Sequence, residues 1–194
     1  MKKILVFGIM LLFVAALAAC GNSNITDSPP SKTDGAPTVG IFDDEMPDDF
    51  GFKIDFGTYG KNNIDTFSHT FTKDLIIAGT ETVDFVIPAA KMQEIYAAFK
   101  EHNIFELPND INAEVEYDSE KTYTMHTPSN RYAVTYTCNN ETRTIVCEDG
   151  GPWYADEGPP DSRNSLVALV DLIAEYIYST EEYQKMPPAE GGYD

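Results

Sequence analysis

Cysteine, tryptophan and positive charge are all scarce here: 194 residues hold three Cys, one Trp, and 13 Lys and Arg against 32 Asp and Glu. With a formal net charge of −19, the chain lacks the clustered basic residues that neutralise phosphates, which excludes nucleic acid as a partner. The same charge opposes direct adsorption of the domain on anionic lipid. The apolar run from Ile4 to Ala19 is shorter than the ~20 residues a membrane-spanning helix needs. No Gly-x-Ser-x-Gly elbow, P-loop, dinucleotide fingerprint or His-Glu-x-x-His helix occurs, so no motif defines an enzymatic activity.

What is present begins at the amino terminus. Lys2 and Lys3 precede the apolar run, which ends Leu17-Ala18-Ala19-Cys20-Gly21. That layout reads as a secretory signal over residues 1–19. A thiol directly after Leu-Ala-Ala resembles the bacterial lipobox, whose cysteine is diacylated before the preceding peptide bond is cut. Two acyl chains on Cys20 give stable anchoring, each buried methylene contributing about 0.8 kcal/mol. The expected location is therefore the extracytoplasmic face of the cell membrane. Processing would remove two lysines and no acid, leaving the chain more acidic still. A cationic protein or peptide is the partner such a field favours.

Residues 20–48 are rich in Ser, Thr, Pro, Gly and Asp without apolar periodicity and read as a tether with an r.m.s. span of roughly 30 Å. A single globular domain is expected over residues 49–188, with residues 189–194 as a tail whose last four, Gly191-Gly192-Tyr193-Asp194, read as frayed. Phe52, Ile54 and Phe56 alternate with polar residues, the period of a half-buried strand. Gly57, Gly60 and Lys61-Asn62-Asn63 mark a turn. Phe67, His69 and Phe71 predict a second strand, and Val83, Phe85 and Ile87 a third. Pro88 opens a helix with the stripe Met92, Ile95, Tyr96 and Phe99. Ile104, Phe105 and Leu107 plug one end of the core. Tyr123 and Met125 predict a fourth strand, Tyr132 to Cys138 a fifth, and Ile145 and Cys147 a sixth after a tight Asn139-Asn140 hairpin. Asp161 or Ser162 caps a last helix with the stripe Leu166, Leu169, Val170, Ile173, Tyr176 and Ile177. One-faced alternation suits an antiparallel sheet. The order βββαβββα thus predicts an α+β fold, about six strands with one face covered by two amphipathic helices.

Three segments carry a resemblance: Phe56-Gly57-Thr58-Tyr59-Gly60-Lys61-Asn62-Asn63-Ile64-Asp65-Thr66, Phe71-Thr72-Lys73-Asp74, and Glu181-Glu182-Tyr183-Gln184-Lys185-Met186-Pro187 with Gly191-Gly192-Tyr193. They are similar to an uncharacterised group of small lipoproteins from Gram-positive bacteria. The resemblance implies the location and a shared fold; it brings no activity, cofactor or catalytic residue.

The loop of residues 148–161 holds the sharpest binding candidates. Trp153 and Tyr154 lie among Gly, Pro and acids, with Asp156 and Glu157 following. They either anchor a partner or fold back over a core end. Tyr59 in the first turn poses the same choice. Cys138 and Cys147 are a disulfide, a metal pair or unrelated thiols. A tight hairpin would set them about 20 Å apart at ~3.3 Å per residue, too far for a bond, whereas a wider loop would permit one. His69, His102 and His126 lie on different predicted elements without metal-ligand spacing. The acids Asp43, Asp44, Glu45, Asp48 and Asp49, and Glu148, Asp149, Asp156, Glu157 and Asp161, do not follow calcium-loop spacing. The expected function is non-enzymatic binding from a lipid anchor, with no cofactor. Alternatives are a hydrolase using Glu148, Asp149 or Asp156, and a calcium-binding lipoprotein.

Overall fold

The computed structural model describes residues 45–116, 118–125, 127–151 and 153–194. The signal segment, Cys20, most of the tether with Asp43 and Asp44, and His126 lie outside the described residues.

Alternating apolar residues build a six-stranded antiparallel sheet. Its strands are β1 (Gly51–Phe56), β2 (Asn62–Asp65), β3 (Thr70–Ile76), β4 (Gly79–Asp84), β6 (Arg131–Cys138) and β7 (Glu141–Glu148), in the order β4-β3-β2-β1-β6-β7. Ile64 stands between Ile54 and Phe71 in register, and Ile54 faces Val134, which faces Ile145. This row of five buried side chains crosses the sheet. On the other face the threonine hydroxyls of Thr72 and Thr82, Thr135 and Thr144, and Thr137 and Thr142 pair at 2.8, 2.9 and 2.9 Å. That polar face explains the period of two.

Helices α1 (Ala89–Glu101), α2 (Asp161–Tyr178) and α3 (Glu181–Lys185) cover the apolar side. α1 buries Ile95, Tyr96, Ala98 and Phe99, and α2 buries Leu166, Leu169, Val170, Ile173, Ala174 and Ile177. Met92 and Tyr176 stay at the rim. Ile104 and Phe105, in a 3-10 turn, plug the core with Leu107. The Arg143 guanidinium holds that plug, donating to the Phe105 carbonyl at 2.5 Å, the Leu107 carbonyl at 2.7 Å and Asn109 Oδ1 at 3.0 Å. A small second sheet pairs β5 (Tyr123–Thr124) with β8 (Trp153–Tyr154). The fold is α+β.

Several details depart from the sequence reading. The Asn62-Asn63 stretch is a strand, β2, because Ile64 supplies one buried side chain to the sheet. The strand expected to contain Phe67 and His69 starts only at Thr70. The preceding residues form a turn whose Phe67 and Ser68 amides donate to Asp65 Oδ1 at 2.9 and 3.1 Å, leaving Phe67 51% exposed. The fourth predicted strand joins the small sheet rather than the large one. Pro160, with no side-chain bond, stands at the cap of α2 in place of Asp161 or Ser162. Residues 189–194 are docked, not frayed: Glu190 bridges Ile76 and Tyr193 donates to Asp74.

Candidate functional site

β8 reaches the loop of residues 148–161 by pairing Trp153 with Thr124 and Tyr154 with Tyr123. Because successive strand residues point to opposite faces, the two aromatics part company. Trp153 is 5% exposed and belongs to the core; it closes a core end and is not a partner anchor. Tyr154 stays at the surface, its ring 4.9 Å from that of Tyr123. Its hydroxyl donates to the Glu116 carbonyl and accepts from the Tyr123 hydroxyl at 3.2 Å. The tyrosine pair, chiefly through that hydrogen bond, pushes the Tyr154 phenol up to about 12. Lys121 lies 3.9 Å from the Tyr154 ring centroid and 2.7 Å from Glu157 Oε1. The Glu157 contact raises the lysine above its ordinary value.

Tyr154 forms one wall of a hollow of about 570 Å³, whose other walls include Glu114, Val115, Glu116, Glu157, Pro159, Pro160 and Asp161. Four carboxylates therefore surround an aromatic and two prolines. They come from two segments some forty residues apart, joined where Tyr154 reaches the Glu116 carbonyl and Ser162 Oγ donates to Glu114. Asp156 is exposed beside the hollow rather than lining it. Asp161 and Glu157 lie in the loop the sequence marks out, whereas Glu114 and Glu116 have no local signal as binding residues, since the contact that brings them in is tertiary.

The acids offered for hydrolysis do not converge. Glu148 pairs with Arg131 Nε at 3.0 Å on the open sheet face, and Asp149 is held by the Arg163 guanidinium. Asp156 stands apart, exposed. Among the described residues no three His, Cys, Asp or Glu gather closely enough to hold a metal ion. His69 lies exposed in the turn before β3, and His102 caps α1.

The cysteine pairing fails on register. Asn139 and Asn140, at φ 53° and 65°, make the tight hairpin, so Cys138 faces Glu141 and Cys147 faces Tyr132. Both thiols are free and buried, with no bond between them. Burial raises both, Cys147 to about 12.

Tyr59 is 46% exposed and takes φ 56° in the turn after β1. Its ring meets Tyr193 edge-on at 5.5 Å. The segments quoted for the family resemblance converge here and beneath α3. The Lys73 ammonium lies 4.3 Å from the Tyr183 ring centroid, and Tyr183 packs on Phe71 at 5.9 Å.

Fold and site together define an α+β sandwich with an acid-lined surface hollow. Comparison with protein-family models, with curated proteins and with solved structures found no match to this chain.

Proposed function

We propose that this chain is a lipid-anchored protein of the extracytoplasmic membrane face, whose acidic domain binds a cationic segment of a protein or peptide without catalysing a reaction. The observation that carries the binding role is the hollow of Glu114, Glu116, Glu157 and Asp161 around Tyr154 and Pro159-Pro160. A Lys or Arg side chain there would lay its methylenes on the ring and prolines and its charge among the carboxylates. The anchor rests on Lys2-Lys3, the apolar run and Cys20.

The partner site is tested with immobilised domain and a Lys/Arg-rich peptide at two salt concentrations. Exposed charges are screened beyond about 8 Å at physiological salt, so association should slow as salt rises. Glu116→Gln with Asp161→Asn should lower the on-rate, and Tyr154→Ala should raise the off-rate. Binding indifferent to all three substitutions would remove the hollow from consideration. For the anchor, Cys20→Ser should leave the detergent phase of a membrane fractionation; a variant equally retained there refutes lipidation.

A further inference from the structure

Residues 189–194 run over a shallow surface groove between the end of β3 and the turn after β1; Tyr193 is half-buried and the other five are exposed. β2 begins at Asn62, while β3 runs on to Ile76, so one row of the sheet is vacant beside the end of β3. Asn62 covers the first gap, its Oδ1 accepting the Asp74 amide at 3.0 Å. Glu190 fills the next: its amide donates to the Leu75 carbonyl and its carbonyl accepts the Ile77 amide, each at 3.3 Å. Gly191 follows at φ +98°, a conformation side chains rarely adopt, and this rather than the movable tip of exposed Ile77 favours glycine there. Tyr193 then donates its hydroxyl to the Asp74 carboxylate and meets Tyr59. The Lys61 ammonium lies over its ring, 4.5 Å from the centroid.

Asp74 is only 9% exposed. A carboxylate so placed needs donors, and the Ile76 amide at 2.9 Å and the Tyr193 hydroxyl supply them. The groove therefore holds this segment at two points, by backbone pairing at Glu190 and by a phenol seat for Tyr193, with the turn at Gly191 between them, a short form of strand addition. None of these contacts requires the peptide to come from the same chain. The tail arrives through Pro187-Pro188, a stiff extended spacer.

We propose that this groove is a peptide-binding site, filled in cis by residues 189–194 and in trans by the same segment of a second copy. A second copy carries the same residues 189–194, so the segment that fits in cis offers the same backbone groups and phenol in trans.

The test uses the full chain carrying Cys20→Ser. Tyr193→Ala removes the phenol and loosens the cis segment while leaving the groove intact. A fluorescent peptide of residues 187–194 should bind this opened chain at least tenfold more tightly than it binds the parent. Adding Asp74→Asn to the opened chain should weaken binding at least tenfold. If Tyr193→Ala does not fold, Tyr193→Phe, lacking only the hydroxyl donor, serves as the opened chain. Exchange is read by analytical ultracentrifugation: the Cys20→Ser parent should form a concentration-dependent dimer that Tyr193→Ala and Tyr193→Phe lose. Equal peptide binding by opened and parent chains, no binding by a folded opened chain, or a parent that stays monomeric at every concentration overturns the proposal.

Discussion

Cys147 and Trp153 show how much hangs on the surroundings of one side chain. Burial lifts the Cys147 thiol from an ordinary 9.0 to about 12, so it stays protonated and inert at neutral pH. Alkylation at pH 8 should leave Cys138 and Cys147 unmodified in the folded protein and modify both in urea, as read by mass spectrometry. A folded-state value above the unfolded one means the stabilisation is complete below pH 9 and is lost as pH rises toward 12. Urea midpoints should therefore be level up to about pH 9 and fall above it, with the fall delayed in Cys147→Val. The tight hairpin and its register were readable from Asn139-Asn140. For Trp153 the sequence leaves a core-closing and a partner-anchoring role open, and the first holds because β8 pairs with β5 and turns the indole inward. Trp153→Ala should cost about 3–5 kcal/mol in denaturant unfolding, the range for an aromatic removed from a core.

Helix stripes carried over from sequence to fold more faithfully than strands did. The i, i+3, i+4 spacing of Leu166, Leu169, Val170, Ile173 and Ile177 places them on one side of α2 whatever lies opposite, and all five are buried. Leu169→Ala and Ile173→Ala should each cost about 2–5 kcal/mol, measured by urea midpoints; values at wild type for both would show the face is not core. Strands depend on neighbours. Asn62-Asn63 has the composition of a turn, yet it becomes β2 because β1 and β3 flank it with free ladder groups. Phe67 has the composition of a strand, yet the Asp65 carboxylate binds two turn amides and turns it outward. The short α3 has no signature in the sequence: five residues carry too little periodicity, and what fixes it is Thr180 Oγ1 accepting the Tyr183 amide at 3.4 Å together with Lys73 beneath Tyr183.

Over the whole chain acid is in excess, with 32 carboxylate side chains against 13 cations. Self-repulsion of that kind works against the compact state and is relieved by screening. Melting temperature should accordingly rise as sodium chloride is increased from about 10 mM to about 150 mM, where the Debye length shortens from roughly 30 Å to roughly 8 Å; a flat or falling curve would show that native ion pairs outweigh repulsion. The hollow belongs to this scale too. Its carboxylates are ordinary surface acids in the linear sequence, and the tertiary contacts of Tyr154 with the Glu116 carbonyl and of Ser162 with Glu114 make them one site.

The central place of β1 has a mechanical meaning. The chain enters the sheet there, directly after Asp49, whose carboxylate accepts the Asn139 and Asn140 amides at 3.0 and 2.6 Å. From that entry β1 is laddered to β2 on one side and β6 on the other. Tension applied through the preceding segment is thus shared by two ladders at once and loads them along the strand, in shear, instead of peeling an edge open one bond at a time. Held from that side, as the proposed anchor implies, the domain would meet a pull with both ladders together.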